Sequence, residues 1–195
     1  MKLSRLCAVA AAVASVAFAG SASAIPISVG FNIAALGSFT ANTNDVTTAT
    51  TITNGSPTQV GAIIFNNIGL ATGMAVTLNP NPMGVTVGSV FTKSFTTLLG
   101  TFVETLTVMS ITPTANALGV LAVGTIVQTV GTGFDPTPVT WSAAYTQTAG
   151  TGTQINASFN NATAPPTQIP EPTSLALVGL ALVGAGFVSR KRKSA

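Results

Sequence analysis

Residues 27–33 read Ile-Ser-Val-Gly-Phe-Asn-Ile, with a large apolar side chain at every second position. Successive side chains of a β-strand point to opposite faces, so this spacing predicts a strand that buries one face. Residues 101–110 show the same period, because Phe102, Leu106 and Val108 share one parity. The two segments predict a body built from strands whose apolar faces pack together.

Outward from these segments, the chain is rich in Thr, Val, Ala, Gly and Asn, a composition typical of short strands and turns. Further strands are predicted at residues 84–91, 120–130 and 139–148. Turn-forming residues separate the strands at 54–57 (Asn-Gly-Ser-Pro), 79–82 (Asn-Pro-Asn-Pro) and 135–138 (Asp-Pro-Thr-Pro). About eight to ten strands over residues 25–163 predict an all-β fold, an antiparallel β-sandwich or jelly-roll-like domain.

Charged residues make up only 6 % of the 195-residue chain, and every basic side chain except Lys93 lies near one of the two ends. The pI of about 9.5 therefore describes the ends, and it does not indicate nucleic-acid binding by the body. A surface with so few charges has little electrostatic repulsion. We therefore expect strand edges of the body to self-associate.

Catalytic and metal-binding residue types are scarce. The chain has no histidine, and its one cysteine, Cys7, precedes the body, which excludes an imidazole base, a thiolate nucleophile and a typical zinc or copper site. The ionisable groups left in the body are Lys93, Asp45, Glu104, Asp135 and Tyr145. Glu104 is expected on the outward or edge side of its strand, and Asp135 is expected to close a turn. We predict that the protein is not an enzyme and binds no cofactor or metal.

Two candidate binding sites have structural alternatives. Asn42, Asn44 and Asp45 could supply oxygens to calcium, but a single carboxylate in an Asn-rich run favours a plain turn. Trp141 and Tyr145 share one parity of a predicted strand, where they would either stack on a glycan or pack into the core. The triplets that fit N-glycosylation begin at Asn54, Asn156 and Asn161.

Residues 1–24 have the three parts of a secretory signal peptide. Lys2 and Arg5 supply the positive charge, residues 6–19 form the apolar run, and small residues at Ala22 and Ala24 mark the cleavage site. The mature chain is therefore predicted to begin at Ile25, outside the cytoplasm and without a cysteine.

Residues 175–188 are all apolar or glycine, and four basic residues follow soon after them: Arg190, Lys191, Arg192 and Lys193. As a helix, residues 173–189 would extend about 25 Å at about 1.5 Å per residue, the short limit for crossing a bilayer. We predict a single transmembrane helix at 173–189, with residues 190–195 as a basic cytoplasmic tail.

Pro170, Glu171 and Pro172 stand just before that segment. The order of Pro-Glu-Pro, a short apolar span and a terminal basic cluster resembles the PEP-CTERM sorting signal of Gram-negative bacteria. The resemblance implies that the chain is the substrate of an exosortase, a membrane-embedded protease or transpeptidase. It also implies an association with exopolysaccharide and biofilm. The proline-rich residues 164–172 are predicted to form an extended linker ahead of the membrane segment.

These features predict a non-enzymatic secreted structural protein. It would be anchored transiently in the inner membrane, processed by an exosortase and delivered to the cell surface or the extracellular matrix. The alternative function is a carbohydrate-binding or adhesin-like β-sandwich module.

Overall fold

The structure is a computed structural model and describes residues 24–164. These residues form β-strands that are joined by turns and loops. In chain order the strands are β1 (Ile25–Pro26), β2 (Val29–Ala35), β3 (Thr40–Ala41), β4 (Thr51–Thr53), β5 (Thr58–Asn66), β6 (Thr77–Asn79), β7 (Met83–Gly84), β8 (Val90–Thr97), β9 (Gly100–Pro113), β10 (Ala117–Val130), β11 (Phe134–Asp135), β12 (Thr137–Gln147) and β13 (Ile155–Thr163). A 3₁₀ turn at Val46–Thr48 is the one helical segment in this part of the chain. None of the elements in residues 24–164 is a helix with the length and apolarity needed to cross a membrane.

Eight strands form one antiparallel sheet in the order β5-β2-β13-β12-β10-β9-β8-β6. Its centre is the long hairpin of β9 and β10, which pairs from Thr101 with Val130 to Pro113 with Leu118. The last strand, β13, inserts between β2 and β12, so the first and last long strands of the body are neighbours. The sheet therefore joins residues that are far apart in sequence.

The sheet curls until its two edges meet. Residues 74–76 run directly into β6, and they also bond to β5 at the opposite edge of the sheet. The Val60 amide donates to the Met74 carbonyl at 2.8 Å, and the Val76 amide donates to the Thr58 carbonyl at 2.9 Å. This contact satisfies backbone groups that an open edge would expose to another chain.

Two small sheets lie beside the curled sheet. One joins β3, β4 and β7 and contributes the buried residues Ile52 and Met83. The other is a parallel pair of β1 with β11, and its Phe134 ring packs against Phe102 at 5.7 Å between centroids. Because Phe134 contacts an inward-facing ring of β9, the second pair helps to close the core at one end.

The core consists of the inward-facing side chains of the long strands. On β12 every second residue is buried, including Trp141 and Tyr145. Phe91 and Phe95 on β8 and Phe159 on β13 contribute further rings. Large rings from several strands meet in one interior. The apolar residues that alternate along these strands therefore face the core, as the sequence predicted.

The predicted all-β antiparallel class is confirmed, with strands at both segments that define the pattern. The arrangement differs from the predicted sandwich or jelly roll, because one continuous sheet curls round the core where two separate facing sheets were expected. An alternating pattern specifies which face is buried, but it does not specify whether the opposite wall belongs to the same sheet.

One predicted strand is wrong over most of its length. Residues 84–91 were expected to form a strand, whereas β7 ends at Gly84 and β8 begins at Val90. Between them a turn closes with the Ser89 amide donating to the Thr86 carbonyl, and Gly88 has a φ of 89°. Glycine adopts that conformation easily, so the turn is favoured over an extended strand.

The predicted signal peptide (1–24), linker (164–172), transmembrane helix (173–189) and basic tail (190–195) lie outside the described residues, apart from Ala24 and Ala164. Ala164 follows β13 directly, and its amide donates to the Pro138 carbonyl at 3.1 Å.

Candidate functional site

A buried ion pair lies in the middle of the core. Lys93 on β8 stands directly opposite Glu104 on β9 in the antiparallel register, and both side chains point inward. The Lys93 Nζ atom is 2.7 Å from Glu104 Oε2, and both side chains are 0 % exposed. Ion pairs this deeply buried are uncommon, because each charge loses its hydration.

Asn161 completes the site from another part of the sheet. It lies on β13, three strands away from β9 along the sheet, and only 1 % of it is exposed. Lys93 Nζ donates to Asn161 Oδ1 at 2.5 Å, and Asn161 Nδ2 donates to Glu104 Oε1 at 2.9 Å. The amine, the carboxyl group and the carboxamide are therefore in mutual contact, and we call these three residues the buried triad.

Aromatic residues adjoin the buried triad. Lys93 Nζ lies 4.9 Å from the centroid of the Phe31 ring, a distance typical of a cation–π contact. Phe31 and Trp141 are also the register partners of Asn161 on the two neighbouring strands. The polar groups thus interact with one another inside an apolar enclosure.

Burial shifts the protonation of both ionisable members. Desolvation lowers the pKa of the Lys93 amine, and the Glu104 charge opposes that change. Desolvation likewise raises the pKa of the Glu104 carboxyl group, against the opposing effects of Lys93 and Asn161. In both residues the low-polarity surroundings favour the neutral form.

The expected outward position of Glu104 is wrong. Glu104 shares its parity with Phe102, Leu106 and Val108, so the pleat that buries those residues buries Glu104 as well. Lys93 has the same relation to Phe91 on β8. The signal in the sequence was that each of two strands carries a charged residue in line with its buried apolar residues. Nothing local indicated Asn161 as the partner of Lys93 and Glu104.

Trp141 and Tyr145, the candidate glycan contacts, are both 0 % exposed. Trp141 packs against Phe91 and Phe159 at centroid distances of 5.0 and 5.6 Å. The Tyr145 hydroxyl donates to Asn54 Oδ1 at 3.3 Å, and burial raises the pKa of the Tyr145 phenol. Neither ring presents a face to solvent for stacking on a sugar, and core packing, the alternative role, is the one that the burial supports.

The other two acids of residues 24–164 lie apart from the buried triad. Asp45 caps the 3₁₀ turn, where its Oδ1 atom accepts from the Thr47 amide and hydroxyl at 2.8 Å each. Asn42 Oδ1 accepts from the amides of Thr50 and Thr51, so this loop uses its own oxygens as an ordinary turn does. Asp135 was expected to close a turn, but it lies exposed on the short strand β11. Within residues 24–164 no three of the acids, histidines or cysteines group together in the manner of a metal site.

The N-glycosylation triplets also differ in accessibility. Asn54 and Asn161 are buried, at 4 % and 1 % exposed, and both make side-chain hydrogen bonds inside the fold. Asn156 is exposed on β13.

Several predicted site residues lie outside the described residues: Pro170, Glu171 and Pro172 of the sorting motif, the basic cluster at 190–193, and Ala22 of the cleavage site. Residues 168–193 match the family model of the PEP-CTERM protein-sorting motif. The chain carries a PEP-CTERM sorting motif. The motif implies recognition by an exosortase, together with export and membrane-anchored surface localisation.

No curated protein and no solved structure matches the chain. The family match covers only the C-terminal motif and does not extend to the body.

Proposed function

We propose that this protein is a non-enzymatic structural protein of the cell surface or extracellular matrix, exported to the cell envelope and processed there by an exosortase. The observation that carries the proposal is the PEP-CTERM sorting motif at residues 168–193. Its Pro170 and Pro172 lack backbone donors and have restricted φ angles, which disfavours helix at the motif. The motif would therefore remain an extended, accessible peptide for the processing enzyme.

The body supports a structural role. Three of the surface clefts within residues 24–164, of about 170, 220 and 320 Å³, are lined by neutral side chains with no Asp, Glu, Lys or Tyr among them. Catalysis usually needs a group whose protonation or nucleophilicity is tuned to the reaction, and these clefts do not supply one. The ionisable Lys93 and Glu104 are sealed inside the core.

The surface suits a matrix component. The described residues carry few charges and many exposed Thr hydroxyls. Hydroxyl groups can donate and accept hydrogen bonds with neutral polar material. We extend the proposal to association with exopolysaccharide in a biofilm, and to self-association through the weakly charged surface. The alternative, a carbohydrate-binding or adhesin-like module, loses the aromatic platform on which it was based, since Trp141 and Tyr145 are buried.

The sorting step is tested by replacing Pro170, Glu171 and Pro172 together with alanine in the full chain. We expect the unprocessed chain to accumulate in the membrane fraction, while the wild-type chain is shortened and released. A matched control replaces Pro165 and Pro166, which precede the matched residues, and should be processed normally. Release of the triple variant at the wild-type rate would contradict the proposal.

A further inference from the structure

We propose that the buried triad forms a covalent cross-link, in which the side chains of Lys93 and Asn161 join in an isopeptide bond and Glu104 transfers the protons. The reaction takes place once within each chain, so it is a self-modification and not an enzymatic activity. It concerns the folded body and is independent of how the C-terminal motif is processed.

The nucleophile and the electrophile are already in contact. Lys93 Nζ lies 2.5 Å from Asn161 Oδ1, and the carbonyl carbon is one C=O bond, about 1.23 Å, from that oxygen. The carbon is therefore no more than about 3.7 Å from the amine, close to the separation of reacting atoms in a near-attack conformer. The hydrogen bond to Oδ1 also polarises the carbonyl toward attack.

Glu104 contacts both of the nitrogen atoms that must exchange protons. Its Oε2 atom faces Lys93 Nζ at 2.7 Å, and its Oε1 atom accepts from Asn161 Nδ2 at 2.9 Å. One carboxyl group can thus take a proton from the attacking amine and give a proton to the leaving nitrogen. This is the geometric requirement for a general acid–base residue.

The step balances without any other reactant. The ammonium of Lys93 first gives a proton to Glu104, which leaves a neutral amine with a free electron pair. The amine attacks Asn161 Cγ to form a tetrahedral intermediate, and Glu104 moves a proton from Lys93 Nζ to Asn161 Nδ2. The Cγ–Nδ2 bond then breaks, ammonia leaves, and an amide remains between Lys93 Nζ and Asn161 Cγ. No oxidant, metal or cofactor takes part.

The surroundings favour this chemistry. Lys93 and Glu104 are fully enclosed, so water does not compete for the carbonyl or hydrate the amine. Desolvation lowers the pKa of Lys93 and raises that of Glu104, which is the direction needed for a neutral nucleophile beside a protonated acid. The aromatic enclosure, with Phe31 at 4.9 Å from Nζ, holds the amine in place.

The bond would connect distant parts of the chain. Lys93 is on β8 and Asn161 is on β13, 68 residues apart, on strands that are not neighbours in the sheet. The described residues contain no cysteine, so a disulfide cannot supply such a connection in residues 24–164. Since β13 is the last strand before the C-terminal motif in the sequence, the cross-link would join the C-terminal strand of the body covalently to β8.

Trypsin gives a direct test on the full-length exported protein, because Lys93 is the only Lys or Arg between Arg5 and Arg190. Trypsin does not cleave after an acylated lysine. After denaturation, we expect the wild-type body to resist cleavage at Lys93 and to migrate as one fragment. Its mass should be lower than the sequence mass by one ammonia molecule. Cleavage into two fragments with an unmodified Lys93 would overturn the proposal.

The matched control is Lys93→Arg, which keeps the trypsin site but cannot form the amide. It should be cut into two fragments, which shows that position 93 is accessible after denaturation. If the body of Lys93→Arg also stays in one piece, the resistance of the wild-type chain has another cause and the proposal fails.

The acid–base role is tested by Glu104→Gln, and the acyl position by Asn161→Ala. Both variants should have an unmodified Lys93 and the full sequence mass, with native near-ultraviolet circular dichroism showing that they are folded. Cross-linking of either variant to the wild-type extent would overturn the assigned chemistry. The wild-type mass decides the main proposal by itself, so the test does not depend on the folding of a variant.

Discussion

Lys93 and Glu104 are ionisable residues in a core made almost entirely of apolar side chains. Removing either partner leaves an unpaired buried charge or forces the other into its neutral form, a loss of about 3–5 kcal/mol in comparable buried pairs. Asn161 satisfies one atom on each partner, so it stabilises the pair whichever residue holds the proton. The proposed cross-link gives these two costly residues a chemical role that their contacts support.

A substitution at Trp141 tests whether the buried aromatic rings stabilise the fold. Replacing Trp141 with alanine removes a fully buried ring that contacts Phe91 and Phe159, and we expect the free energy of unfolding to fall by about 4 kcal/mol. Denaturant titration measures this change. Leu98→Ala is the control, because Leu98 is 97 % exposed and its loss should change the free energy by less than about 0.5 kcal/mol. A Trp141→Ala protein as stable as the wild type would show that this ring is not part of the core.

At the scale of the element, a glycine of β10 allows the backbone of β9 to approach closely. It pairs with β9 on one side and β12 on the other, so neither of its edges is free to move. A Cβ atom at Gly124 would lie 1.8 Å from the Thr105 carbonyl oxygen on β9. The same addition at Gly119 would lie 3.6 Å from the Thr112 carbonyl oxygen, an ordinary contact.

The two glycines of β10 therefore make a matched pair of variants. Gly124→Ala must push the β9 backbone away, and we expect it to lower the free energy of unfolding by about 3 kcal/mol. Gly119→Ala adds the same methyl group to the same strand without a clash and should change the free energy by less than about 0.5 kcal/mol. Denaturant titration of both proteins provides the comparison. Equal losses would mean that strand propensity, and not the close approach of β9, sets the effect.

For the whole molecule, the distribution of charge predicts how the chain is held in the envelope. All the basic residues after Lys93 lie at positions 190–193, where a cytoplasmic location is favoured by the positive-inside rule. Deleting Arg190–Lys193 should therefore weaken retention of the C-terminus inside the cell. A reporter fused to the C-terminus measures its location on the two sides of the membrane.

Exchanging Arg190 and Arg192 for lysine is the control, since it keeps the charge and should leave the topology unchanged. An unaltered reporter signal after the deletion would mean that another feature holds the C-terminus.

Several features were predictable from the sequence because they depend on local patterns. The alternation in residues 27–33 predicts β2, and the order of Pro-Glu-Pro, apolar run and basic cluster predicts the sorting motif that the family comparison confirms. The buried face of a strand and a linear sorting signal both depend only on residues that are close together in the sequence. They need no knowledge of what lies opposite in space.

The buried triad and the curl of the sheet depend on tertiary structure. Lys93 and Glu104 become partners through the register of β8 with β9, and Asn161 reaches them only because the sheet curls round and brings β13 to face them. Nothing in the residues next to Asn161 indicates that approach, because Glu104 and Lys93 are 57 and 68 residues away from it in the sequence. The local sequence thus determined where strands form and which sorting motif the chain carries. Only the folded structure decided that the Lys93 amine, the Glu104 carboxyl group and the Asn161 amide meet.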